Sequence, residues 1–287
     1  MKKSIALLAL SATLLVTGCQ QGLDKFENHF KEYSFKYEAT RKEEEAIYDG
    51  VYKNALYLSS CETIEQAYHK SSFIESSGVR KTKITIKEDS SYPNSLITEV
   101  VESTKENRTE YGISYRDNSE SMVVSFHRGS YLYKTVEISE NDKTTKSKST
   151  TSVSENFIAY RDSYLKSLVS LSTDGISKYY VCSDNSYALV FSYISKKVSA
   201  VQWGDKTKEY IVSQKDQVAF FISKDFKLTS SYSYSEIKTN YDSITGEWFD
   251  SEQLSKRLYS STKYNYDKRK SASINSLVSA YNNFQTK

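Results

Sequence analysis

From Gly78 onward the chain is written in short runs that alternate apolar and polar residues. Ile84 and Ile86 stand between Lys83, Thr85 and Lys87, the period-2 signature of a sheet with one wet face. Runs of the same kind follow at Ser95–Ser103, Thr109–Tyr115, Ser121–Phe126 and Tyr131–Ile138. The breaks between them carry turn chemistry: Ser90-Ser91-Tyr92-Pro93-Asn94, Lys105-Glu106-Asn107, Arg116-Asp117-Asn118 and Arg128-Gly129. Short strands with short polar connections predict an antiparallel meander. The 25 Tyr and 12 Phe, with a single Pro, agree with it, because rings cover a pleated surface well. So much Tyr fits either a thin sheet that tolerates amphipathic rings or an aromatic-lined groove.

A second meander is predicted over Lys178–Cys182, Tyr187–Ile194, Val198–Trp203, Lys208–Val212, Gln217–Ile222 and Phe226–Ile237, with turns at Gly204-Asp205-Lys206 and Lys224-Asp225. Helices are expected at Cys61–Ser71, Ser154–Leu171, Ser251–Tyr259 and Ser271–Phe284. The last has a clean stripe of Ile274, Leu277, Val278, Tyr281 and Phe284. Ser139–Ser154, rich in Lys, Ser and Thr, reads as a solvated loop. Residues 20–60 carry two signals. Leu23, Phe26, Phe30, Tyr33, Tyr37, Ile47, Val51 and Ala55 follow a helical stripe, and Lys42-Glu43-Glu44-Glu45-Ala46 is a strong helix former. Yet Tyr33, Phe35, Tyr37 and Ala39 alternate as a strand would, and Asp49-Gly50 fits a hairpin turn. Helix is the favoured reading. The expected fold is α+β: one large curled antiparallel sheet of about 10–11 strands, half-barrel-like, covered by a few helices.

The first 19 residues supply an address. Lys2 and Lys3 precede an apolar run, Ile5–Val16, of 12 residues. At about 1.5 Å per residue it reaches roughly 18 Å, short of a bilayer core of about 30 Å, so it reads as a secretion signal. Val16-Thr17-Gly18-Cys19 resembles the lipobox of bacterial lipoproteins. That resemblance implies cleavage before Cys19, a diacylglyceryl thioether on Cys19, and a lipid anchor on the extracytoplasmic face of the cell membrane. Gln20 at the next position is compatible with the outer membrane in a two-membrane bacterium. The expected organisation is a signal at 1–18, a lipid-anchored stalk at 19–60 and one β-rich binding domain at 61–287.

Without the two lysines of the signal, the net charge falls from +3 to +1, so there is no basic excess to hold nucleic acid. Cys61 and Cys182 are left either as a disulfide or as two buried thiols. His29, His69 and His127 are scattered, with no Cys or His at ligand spacing, and no metal or cofactor is expected. Ser163-Tyr164-Leu165-Lys166 and Ser183-Asp184-Asn185 match two motifs of penicillin-binding enzymes, but no K-T-G follows and the two lie only 20 residues apart. The expected role is therefore non-catalytic.

Element order over about 60–240, together with the lipobox, is similar to the half-barrel lipoprotein carriers of the LolA/LolB type and the related LppX/LprG lipid-binding lipoproteins. That likeness implies an apolar cavity between sheet and helices, with a lipid or other hydrophobic ligand. The alternative is a structural or protein-interaction module of the envelope with no small-molecule site.

Overall fold

The computed structural model describes residues 35–153, 157–171, 177–243 and 245–286. Signal, lipobox, Cys19, His29 and the stripe from Leu23 to Tyr33 lie outside them, as do Ser154 and Glu155.

Among the described residues a single open sheet of 13 strands dominates, antiparallel except at one short strand. Its strands are β1 (Phe35–Glu38), β2 (Ser60–Lys70), β3 (Ile74–Asp89), β4 (Tyr92–Glu110), β5 (Ile113–Arg128), β6 (Tyr131–Glu140), β7 (Lys143–Ser152), β8 (Ser177–Cys182), β9 (Tyr187–Trp203), β10 (Lys206–Ile222), β11 (Leu228–Tyr241), β12 (Trp248–Asn265) and β13 (Lys270–Ser271). The spatial order is β1-β8-β9-β10-β11-β12-β2-β3-β4-β5-β6-β7, and the short β13 runs parallel to β3. The two meanders are thus joined side by side, with β12 beside β2. The strand count exceeds the expected 10–11, while the α+β class stands.

Among the described residues, the helices are α1 (Arg41–Ala55), α2 (Phe157–Ser167) and α3 (Ile274–Asn283). Thr40 starts α1 with a capping box: its hydroxyl accepts the N–H of Glu43, whose carboxylate accepts the Thr40 N–H at 2.8 Å. Both signals in the 20–60 stretch are realised in succession, a strand at 35–38 and a helix at 41–55. From Phe35 the expected stalk is part of the sheet and core, since β1 pairs with β8 and Ile47, Val51 and Ala55 are buried.

Register places the helices on opposite faces. Ile86 packs in the cluster that holds Ile47, Val51, Leu165 and Leu189, beneath α1 and α2. Ile97 pairs with Lys87, the neighbour of Ile86, so it points the other way, and it packs with Phe126 and Ile274 under α3. These two clusters sit at one end of the sheet. Toward the other end the sheet is a single layer. Between Cys61 and Ile86, Thr98 and Phe126, and Leu189 and Ala219, no described side chain is buried. Cross-strand polar pairs hold that end: Lys83 with Glu62, Arg80 with Glu102 at 3.7 Å, and Thr63 with Thr262 at 2.9 Å.

The single layer accounts for the misread elements. Cys61–Ser71 and Ser251–Tyr259, expected as helices, are strand: β2 and part of β12. Ser139–Ser154, expected as a loop, contains β7. Lys105-Glu106-Asn107 and Arg116-Asp117-Asn118 are not turns but the paired middles of β4 and β5, whose turn is Tyr111-Gly112, at φ 48° and 79°. The breaks expected between Ile194 and Val198 and between Val212 and Gln217 are likewise continuous strand, β9 and β10. A strand wet on both faces needs no apolar alternation, so its sequence carries no period-2 mark.

Candidate functional site

At the helix-free end the sheet splits. β12 pairs with β2 from Asn265 opposite Ser60 as far as Lys256 opposite His69, and no further. Against β11 its register slips twice. Lys256 faces Ile237 but Leu254 faces Lys238, leaving Ser255 as an extra residue; Gln253 faces Thr239 but Trp248 faces Tyr241, so residues 249–252 bow outward. Bulges of this kind bend a strand and re-aim its side chains. The result is a cleft of about 510 Å³ between the β2–β3 turn and the splayed end of β11 and β12. That is within the range of small-molecule sites.

The turn from β11 to β12 shapes one wall. Asp242 accepts the Thr245 N–H through Oδ1 at 3.4 Å and the Gly246 N–H through its backbone carbonyl at 2.8 Å. Gly246 sits at φ 73°, a conformation that favours glycine. The other carboxylate oxygen of Asp242 reaches across the sheet to the Ser72 N–H at 2.6 Å, and the Ser72 hydroxyl donates to Glu247 Oε2 at 2.6 Å. Two turns 170 residues apart are thereby tied together. Behind the cleft, Tyr241 lies 5.0 Å from Tyr210 and 4.8 Å from Trp248, ring centre to ring centre.

Tyr68, Tyr241, Phe249 and Leu254 give the cleft apolar surface; His69, Lys70, Ser71 and Gln253 give donors; Asp242 and Glu247 give acceptors. Such a lining fits a ligand with both an apolar and a polar part. The Ser72 hydroxyl is engaged by Glu247 and its N–H by Asp242, so this residue holds the turn.

Of the residues singled out from sequence, His69 alone lines this cleft. His127 is buried beneath α2, against Phe157 and Tyr160 at 4.4 and 4.9 Å. Burial pushes its pKa down to about 4. Cys61 on β2 and Cys182 on β8 are both buried free thiols, five strand positions apart. Burial, and secondarily Glu62, raises the Cys61 thiol to about 11, far from a reactive thiolate. Ser163 and Lys166 are exposed on α2, and Ser183-Asp184-Asn185 forms the β8–β9 turn. Among the described residues no group of three or more His, Cys, Asp or Glu could hold a metal ion, and no helix is long and apolar enough to cross a membrane.

Between α1, α2 and the sheet, Val51, Ala55, Leu58, Leu165, Val169 and Leu228 are fully buried in one apolar cluster. The cleft residues were not legible beforehand, because bulges leave no periodic trace. The one available signal was the Asp242–Gly246 stretch, whose Asp, Ser, Thr and Gly mark a turn. Comparison with known protein families returns no match, and the chain matches none of the curated proteins.

Proposed function

We propose that the chain is a membrane-anchored extracytoplasmic lipoprotein whose β-rich domain binds an amphipathic ligand without catalysis, in the cleft between the β2–β3 turn and the β11–β12 turn. The observation that carries the reading is the cleft itself, lined by both aromatic rings and hydrogen-bonding groups. The lipobox supports the anchor, and the packed space under α1 and α2 favours the cleft over the interior as the site. Trp248, against Tyr241, is a built-in reporter. Its fluorescence should change on titration with lysophosphatidylglycerol or a short fluorescent fatty acid, and Tyr241→Ala or Phe249→Ala should weaken binding about tenfold. Radiolabelled palmitate should mark the wild-type chain and not Cys19→Ser. Unchanged fluorescence with both probes would remove the ligand half of the proposal; an unlabelled wild type would remove the anchor.

A second reading is an envelope interaction module. Its support is the two-sided exposure of the helix-free end, where Phe73 and Tyr111 stack at 5.1 Å beside exposed Ile113.

A further inference from the structure

The polar groups of the cleft are out of balance, and the imbalance constrains the head of its ligand. Two carboxylates, Asp242 and Glu247, line it with one ammonium, Lys70. That ammonium lies 3.9 Å from Glu75 on β3, so part of its charge is already met. A negative head would enter against a surplus of negative charge. The apolar lining is three rings, Tyr68, Tyr241 and Phe249, and one aliphatic side chain, Leu254. Flat rings suit the C–H face of a sugar, whereas a bare acyl chain would want an aliphatic sleeve.

Hydrogen-bonding capacity leans the same way. Glu247 takes the Ser72 hydroxyl on Oε2, and among the described residues nothing donates to its Oε1. Gln253 turns its amide N–H groups to Ser251, at 3.0 and 3.3 Å, and its Oε1 accepts no bond among the same residues. Ser255, the extra residue of the β12 bulge, adds a hydroxyl without a partner there. Two open acceptors and a hydroxyl call for a head that donates, as sugar hydroxyls do. His69 adds ring nitrogens that a hydroxyl can use in either sense. An ionised carboxylate or phosphate diester has no donor to offer, nor has a quaternary ammonium. A primary ammonium donates, but it would bring a second positive charge into the site that holds Lys70.

We infer that the polar part of the ligand is an uncharged sugar, whose hydroxyls bond to Glu247, Gln253 and Ser255 while its ring lies against the aromatic side chains. The inference rests on the reading of the cleft as a ligand site and goes beyond it by choosing among heads.

Three probes with one octyl tail and different heads test it: octyl glucoside, octyl phosphate and octyltrimethylammonium, each below its micelle concentration. The full chain, as Cys19→Ser with Trp203→Phe, is titrated without added detergent, and Trp248 reports. Octyl glucoside should bind about tenfold more tightly than either charged probe, or better. Gln253→Ala, at an exposed position, should weaken binding of the glucoside and leave octyl phosphate unchanged. Glu247→Gln keeps an amide oxygen for the Ser72 hydroxyl. It should narrow the gap by strengthening octyl phosphate binding, a change that loss of structure would not produce. A charged probe bound as tightly as the glucoside, or a gap that both variants leave intact, overturns the inference while the cleft remains a ligand site. No fluorescence change with any of the three probes overturns it together with the reading it rests on.

Discussion

Asp89 holds the start of α3 from 185 residues away. Its Oδ2 accepts the N–H of Ile274 at 2.6 Å, while Oδ1 accepts the N–H of Ser91 at 2.8 Å in the β3–β4 turn. The carboxylate is buried, and the bond to Ile274 is buried with it, while that to Ser91 is half-buried. Ser273 caps the same helix from its own chain, accepting the Ser276 N–H. Asp89 therefore serves less to start the helix than to fix where it lands, with Ile274 beneath it against Ile97 and Phe126.

Asp89→Ala should leave the buried Ile274 N–H and the half-buried Ser91 N–H without an acceptor and cost about 2 kcal/mol. The loss should be local first. Amides of Ile274–Asn283 should exchange faster, while those of α1 keep their protection. Asp89→Asn, which keeps an acceptor oxygen, should cost less. Denaturant unfolding with hydrogen-exchange mass spectrometry checks both.

His127 makes stability depend on pH in a defined window. Both ring nitrogens lack a hydrogen-bond partner, and the ring is 4% exposed. Its folded pKa, pushed down to about 4 by burial, lies below the ordinary value of 6.5. The folded state thus binds the proton less readily than the unfolded chain. As pH falls below 6.5, unfolding is favoured, and the loss grows to about 3 kcal/mol by pH 4. His127→Phe keeps the ring contacts with Phe157 and Tyr160 and should flatten this slope. Urea midpoints from pH 7.5 to 4.5 measure it; parallel slopes for the two proteins would count against the account.

Gly50 shows which of two opposing effects wins. It lies inside α1, where alanine is favoured over glycine by about 1 kcal/mol. Yet a Cβ there would fall 2.5 Å from Cγ and 2.6 Å from Cβ of Phe226. Phe226 has little room to yield: its ring stacks on Tyr187 at 5.3 Å, and Asn54 donates to its carbonyl at 3.2 Å. Overpacking of this kind costs about 1–3 kcal/mol, so Gly50→Ala should lower the melting temperature despite its better helix propensity. Gly50→Ala with Phe226→Leu should recover part of the loss.

These residues mark what sequence could reveal. α3 was legible because Ile274, Leu277 and Val278 repeat with the helical period over one packed face, and Lys83–Lys87 was legible because its apolar side chains enter a core. β7 was not, because it meets α3 through Lys148 and Thr150 rather than through apolar side chains. β2 and β12 were mistaken for helices because each buries only one side chain, Cys61 and Tyr259, too few to write an alternation. Asp89 escaped notice, and Gly50 was read for a hairpin turn although it lies inside α1, because each depends on a partner more than 170 residues distant. Of the cleft, only His69 had been named beforehand, as one of three scattered histidines without ligand spacing.

Glu236 and Arg257 join β11 to β12 by a half-buried ion pair. Arg257 donates to Glu236 Oε2 through Nη2 at 3.0 Å, Tyr234 donates to the same oxygen at 2.5 Å, and Lys238 lies 2.8 Å from Oε1. Burial opposes ionisation of Glu236, but the bonds from Lys238, Tyr234 and Arg257 outweigh it and hold the carboxyl at about 2. Because that pKa is depressed, the contribution is complete above the ordinary carboxylate range and is lost only as pH falls toward 2, below the window of His127. The Glu236 side chain is 12% exposed and that of Arg257 23%, so removing one partner leaves a charge poorly solvated. Arg257→Ala should then cost about 3 kcal/mol, and Glu236→Gln less, because Tyr234 can still donate to the amide oxygen. The double variant should cost clearly less than the sum of the two. A double-mutant cycle from urea unfolding at pH 7 gives the coupling directly, and additive losses would mean that the two side chains are neighbours without being partners.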